Sequence, residues 1–119
     1  MDDDEDNRTA LRELLEDSGS RITTAANVSD ALAKFEREVP DVLLSDIGMP
    51  GDDGLELIRR VRARSKREGG DVPAAALTGR VRGEDRRAAL RAGFMRHVSK
   101  PVDPNELIEI VSALARLAA

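Results

Sequence analysis

A chain of 119 residues, 40% hydrophobic and 35% charged with a net charge of −4, is long enough for one buried core without metal or disulfide staples. It has no cysteine, which excludes disulfides and thiolate chemistry; its single histidine argues against a zinc site, and its two aromatics against a base-stacking platform. No apolar run could span a bilayer and no signal pattern follows Met1, so a cytoplasmic protein with one domain over residues 1–119 is expected.

The first acids, Asp2 to Asp6, read either as a solvated terminus or as hard oxygen ligands for a divalent cation. Leu11, Leu14 and Leu15 share a helical face that stops at Gly19, and Ile22 to Ala26 predicts a short strand. Ser29 is the expected cap of a helix carrying Ala31, Leu32 and Phe35, which ends before Pro40. Val42 to Leu44 is apolar and too short for a helix, so it predicts a strand that stops at Asp46. A Gly- and Pro-rich loop follows, then a helix with Leu55, Leu57, Ile58 and Val61 inward and Arg59, Arg60, Arg62 and Arg64 on the wet side. Val72 to Leu77 predicts a strand ending at Thr78, and Ala88 to Ala92 a weakly apolar helix ending at Gly93. Met95 to Ser99 predicts the last strand, ending at Lys100-Pro101. Asp103, Pro104 and Glu106 form a capping pattern for a final helix through Leu107, Val111 and Leu114.

Strands alternating with helices imply an α/β fold, a doubly wound parallel sheet with right-handed crossovers. Its strands end at Asp46, Thr78 and Lys100, so a carboxylate, a hydroxyl and an ammonium gather at one edge. That set suits acyl-phosphate chemistry. Asp46 would attack phosphorus. Mg²⁺ would be held by Asp46, one or both of Asp2 and Asp3, and the Gly48 carbonyl. Thr78 and Lys100 would bind phosphoryl oxygens.

Taken together, Asp2-Asp3, Ser45-Asp46-Ile47-Gly48-Met49-Pro50, Leu77-Thr78-Gly79 and Ser99-Lys100-Pro101-Val102 resemble a response-regulator receiver domain of two-component signalling, with details similar to receivers of hybrid sensor kinases. The resemblance implies a flavodoxin-like fold, Asp46 as phosphoacceptor, Asp3 supported by Asp2 as acidic metal ligands, and Gly48 as carbonyl ligand. It further implies Thr78 as switch hydroxyl, Lys100 as phosphate partner and a cis Lys100-Pro101 bond. The implied partners are a histidine kinase or histidine phosphotransfer protein, and a downstream protein on the side of the fourth helix, last strand and last helix. Arg80, Arg82, Arg86, Arg87 and Arg91 lie around that helix, whereas Arg59 to Arg67 reads as a solvated face. Direct nucleic-acid binding is not expected from a negative chain without a reading helix.

Two departures stand out. Such domains begin with an apolar central strand leading into the acidic pair, and Met1 stands in its place here. Its loss opens a gap of roughly 10 Å, to be met by re-pairing, by borrowing a strand in a dimer or swap, or by poor order. The switch aromatic three residues before the lysine is His97, which could titrate near neutrality or sit exposed without a role. With no output segment appended, the domain is expected to act by docking or to be cut from a longer chain. The alternatives are a pseudo-receiver that only binds proteins and a haloacid-dehalogenase-type phosphatase. The second would need an acid where Gly48 stands. A nicotinamide-binding domain lacks its Gly-x-Gly-x-x-Gly turn.

Overall fold

The computed structural model describes residues 1–2, 4–47, 53–78 and 83–118. Three parallel strands, β1 (Leu43–Asp46), β2 (Ala74–Thr78) and β3 (Arg96–Ser99), lie side by side in that order. Five helices accompany them: α1 (Glu5–Asp17), α2 (Val28–Arg37), α3 (Asp53–Arg62), α4 (Gly83–Ala92) and α5 (Pro104–Ala118).

Strand alternation sorts the core into two layers. Leu44, Ala75, Leu77 and Val98 pack against Leu11 and Leu15 of α1 and Leu107, Ile110 and Leu114 of α5. On the opposite face, Leu43, Ala74 and Ala76 meet Leu57, Ile58 and Val61 of α3, Phe35 of α2, and Ala89 and Phe94 at α4. The sheet is thus covered on both sides, as its continuous apolar runs require. The three consecutive alanines of β2, all fully buried, leave room for close helix approach on both faces.

Local chemistry sets the helix ends. Asp4 caps α1, its side chain accepting from Asn7 N at 3.1 Å. Asp103 Oδ1 accepts from Asn105 N at 2.9 Å and Glu106 N at 3.3 Å, the cap anticipated for α5. For α2 the cap is Asn27 rather than Ser29: Asn27 Oδ1 accepts from Asp30 N at 2.8 Å, placing Ser29 inside the first turn. Gly93 closes α4 at φ +127°, where a Cβ would also meet Arg62 Cγ at 2.7 Å.

Two further expectations are corrected. Ile22 to Ala26 forms no strand. A parallel strand needs a neighbour's ladder, and among the described residues on this side of β1 only Met1 and Asp2 reach across, with one bond from Asp2 N to Ala25 O at 3.1 Å. Arg62 is not on the wet side of α3. Its guanidinium donates to Gly93 O and Gly70 O, both at 3.0 Å, and ties the ends of α3 and α4 together. Burial lowers its pKa, with Asp71 opposing. Arg64 likewise lies over the Phe35 ring, 5.4 Å from its centroid, while Arg60 pairs with Glu56 in solvent.

Gly54 joins the fold to the strand-end edge. A Cβ at this position would lie 2.2 Å from Asp46 O and 2.6 Å from Ile47 Cγ2. Helix propensity favours alanine by about 1 kcal/mol, but backbone on backbone cannot give way cheaply. Gly54→Ala is expected to cost about 2 kcal/mol net, read as a lower urea midpoint with unchanged slope; an unshifted midpoint would show that α3 can move off β1.

Candidate functional site

The carboxyl ends of the strands carry the chemistry-bearing residues side by side. Asp46 is the last residue of β1 and opposes Leu77; Thr78 is the last of β2 and opposes Ser99 of β3. Lys100 follows β3 directly, its N–H donating to Thr78 O at 2.8 Å, and the Lys100-Pro101 peptide bond is cis. Asp46 and Thr78 are buried, so their side chains lie in the floor of the edge. Thr78 Oγ1 donates to Val98 O over 3.5 Å, a long bond that a better acceptor could displace.

Lys100 Nζ lies 2.5 Å from Asp46 Oδ2 and 3.9 Å from Asp2 Oδ2. One ammonium therefore serves two buried carboxylates, and only the Asp46 contact is a hydrogen bond. Asp2 is 3% exposed. Its Oδ1 accepts from Asp4 N at 3.0 Å, while its Oδ2 has no hydrogen-bond partner among the described residues. Backbone holds this acid in place. Met1 O accepts from Asp46 N at 2.8 Å, and Asp2 N donates to Ala25 O. Arg8 Nη1 donates to Asp2 O at 2.9 Å. Arg8, Met1 and Gly54 are site-building residues that sequence reasoning left without a role. Only the bare glycine gave a signal: Met1 acts through its backbone, and the Arg8 guanidinium reaches a backbone carbonyl six residues away in the chain.

Of the residues expected at the site, Asp2, Asp46, Thr78 and Lys100 come together. Asp3 and Gly48 lie outside the described residues, as do Gly79, Arg80 and Arg82. His97 sits in β3 opposite Ala76, half-buried on the sheet face toward α3 and α4. Arg87 and Arg91 are exposed on α4.

The donor set suits a hard divalent cation. Two carboxylates converge, and Asp2 Oδ2 is buried with no hydrogen-bond partner among the described residues. Among the described residues no group of three or more candidate ligands is assembled.

An open parallel sheet, wrapped on both faces and carrying an acid, a hydroxyl and a lysine at its carboxyl edge, defines the receiver class of α/β signalling domains. The chain belongs to the response regulator receiver domain family, whose model matches residues 1–112. It is 53% identical over 111 residues to an uncharacterized 14.6 kDa protein in the sodA1 3' region of Leptolyngbya boryana, covering 93% of this chain and 83% of that one. It is 31% identical to the sensor histidine kinase GacS of Pseudomonas protegens, over 99% of this chain but 13% of the kinase. It is also 35% identical to the transcriptional regulatory protein PrrA of Mycobacterium tuberculosis, over 98% of this chain and 48% of the regulator. The chain therefore spans less than half of the kinase and regulator it matches. Among solved structures it is similar to the chemotaxis protein CheY4 of Vibrio cholerae, with TM-score 0.86 and 28% identity over 95% of this chain and 92% of that one. A CheY-like receiver domain protein of Methanospirillum hungatei gives TM-score 0.83 and 27% identity, over 98% and 90%. No helix among the described residues is long and apolar enough to cross a membrane.

Lys100→Met would leave Asp46 and Asp2 buried without their shared cation. A loss of about 3 kcal/mol is expected at neutral pH, recovered in part by millimolar Mg²⁺; equal urea midpoints for variant and parent would remove the ion pair from the structural account. A second outcome concerns Met1, whose α-ammonium donates to Leu44 O at 2.5 Å. Burial lowers its pKa from 8.0 to about 6, against the opposing charges of Asp2 and Asp46. In the 119-residue chain the unfolded state thus holds the proton up to about pH 8 and the folded state releases it near 6, so stability rises with pH across that window, by on the order of 2 kcal/mol. Unfolding measured from pH 6 to 8 should show that rise, and Nα-acetylation should flatten it.

Proposed function

We propose that this chain is a single phosphoacceptor domain, taking a phosphoryl group on Asp46 from a histidine kinase or phosphotransfer protein. The observation that supports this most is the buried Asp46 carboxylate at the end of β1, paired with Lys100 at 2.5 Å beside Asp2, whose Oδ2 has no hydrogen-bond partner among the described residues. An Asp46 oxygen attacks phosphorus as the donor's bond to phosphorus breaks, and the electron pair leaves with the donor. Lys100 then exchanges its carboxylate contact for a phosphoryl oxygen, and the Thr78 hydroxyl leaves its long bond to Val98 O for another. Asp2 and Asp46, with Asp3 and the Gly48 carbonyl, would hold Mg²⁺, which when bound neutralises phosphoryl oxygens. Movement at Thr78 would reach α4, where Arg87 and Arg91 are exposed, and His97 behind it; a downstream protein would read this side. The setting proposed is the cytoplasm, where the kinase's phosphoryl donor is made.

A second reading, a pseudo-receiver that binds proteins without phosphorylation, is favoured by the groove beside Asp2, where one residue stands for a whole strand. Intact mass after incubation with acetyl phosphate and Mg²⁺ separates the two. One phosphate adduct, absent in Asp46→Ala and lost on chelation, is expected, with Asp2→Asn weakening the Mg²⁺ requirement's midpoint at least roughly tenfold. A folded chain that gains no adduct would leave the pseudo-receiver.

A further inference from the structure

Helix α4 is held unevenly. Among the described residues it gives the core only alanines, Ala89 buried and Ala88 and Ala92 half-buried, and such short side chains interlock little. Its C-terminal end is fastened three ways. Gly93 O accepts from Arg62 Nε at 3.0 Å. Phe94 is buried in one cluster with Ile58, Ala74 and Ala76, and Met95 N donates to Ala74 O at 2.9 Å.

The same end is built to turn. Gly93 leaves the helix at φ +127°, a conformation that glycine adopts without strain and can change at little cost. Its missing side chain makes room for Arg62, whose Cγ and Nε would lie 2.7 and 3.1 Å from a Cβ there. The guanidinium also donates from Nη1 to Gly70 O at 3.0 Å, and Gly70 N donates to Ser65 O at 2.9 Å, so the arginine is braced on the α3 side as well. Its Nη2 is buried with no hydrogen-bond partner among the described residues. That donor still has a bond to make, and the last carbonyls of a helix are the acceptors its end leaves over.

We propose that Gly93 and Arg62 form a hinge for α4, about which the helix swings with its C-terminal end fixed. Arg62 is a positioning residue: it holds Gly93 to Gly70 and so converts a displacement of α4 into a rotation. Without that clamp the helix would lift or slide as a whole. Arg87 lies about one turn further from the hinge than Arg91, so a swing carries the two exposed cations by different distances. A protein docked across both would register the angle of α4 through that difference. The hinge does not rest on phosphoryl transfer at Asp46, which would supply only a force to turn it through Thr78. Its test reads the unmodified chain, and a chain that takes no phosphate can still pass.

Amide hydrogen exchange, resolved by residue in the folded 119-residue chain, reads the motion. The Gly93 and Phe94 amides donate to Ala89 O at 3.2 and 3.0 Å. Corrected for intrinsic rates, they are expected to exchange at least roughly tenfold more slowly than those of Arg87 and Ala88. Leu77 and Val98, in the sheet, report global unfolding. Arg62→Met should bring the two ends of α4 within about twofold of each other, by speeding Gly93 and Phe94 beyond any change at Leu77 and Val98. Arg62→Lys keeps the charge but cannot span two carbonyls; it should lose most of the ratio too, and it decides the matter if Arg62→Met unfolds. An arginine with a merely structural role would lower the urea midpoint and speed Leu77, Val98 and both ends of α4 alike. That result, with the ratio intact, would overturn the hinge. So would a parent chain in which α4 exchanges evenly along its length, or a ratio that survives Arg62→Lys.

Discussion

Everything at the functional edge depends on one ammonium shared between two buried carboxylates. Lys100 reaches Asp46 and Asp2 because β3 ends one residue earlier, with Ser99 in register with Thr78. Two carboxylates that close would repel strongly in an interior of low dielectric, and a single lysine offsets that repulsion incompletely. Asp2 Oδ2 has no hydrogen-bond partner among the described residues. A site in this condition has a standing preference for more positive charge. A divalent cation meets that preference, and a phosphoryl group arriving with it lets Lys100 move from carboxylate to phosphoryl oxygen without leaving the edge.

The same edge is joined to the core by unusually small residues. Ala74, Ala75 and Ala76 fill the centre of the sheet with almost no side chain, which draws α3 and α4 inward on one face and α1 and α5 on the other. Gly54 continues that closeness to the end of β1, where α3 begins against the Asp46 carbonyl. The acid is therefore held from behind by backbone, from one side by Lys100 and from the other by Met1. Rigid support of this kind positions a nucleophile, while the long Thr78 bond leaves the hydroxyl available to change partner.

The region on the far side of β1 is built differently. Among the described residues, three backbone hydrogen bonds join Met1 and Asp2 to their neighbours: to Leu44 and Asp46 on one side and to Ala25 on the other. Beyond them the space between β1 and segment 21–25 stays open rather than closing by re-pairing. Closure would bring α1 and α2 together across the sheet plane, and their apolar faces are already committed to α5 and α3 respectively. The absent strand thus costs the ladder on both its sides, and it leaves Asp2 dependent on a short stub and on Arg8.

Much of this was legible in the chain itself. Short apolar runs ending at Asp46, Thr78 and Lys100 state both a parallel sheet and the chemistry of its edge, because parallel strands must end together. The Asp103-Pro104-Asn105-Glu106 cap was equally plain, since capping is local and depends on residues within one turn. What failed was nonlocal. Ile22 to Ala26 has strand composition and no strand, because a strand exists only where a neighbour supplies hydrogen bonds. Arg62 sits at a polar position of α3, and only the meeting of α3 with Gly93 and Gly70 makes it an internal tie. Sequence by itself determined the fold class, the cast of the edge and most helix ends, all of which follow from periodicity and short-range hydrogen bonding. Tertiary structure alone decided that Lys100 serves two acids, that Asp2 is buried with one oxygen lacking a hydrogen bond among the described residues, and that a groove remains beside β1. Those depend on distances between residues far apart in the chain, which no local pattern encodes.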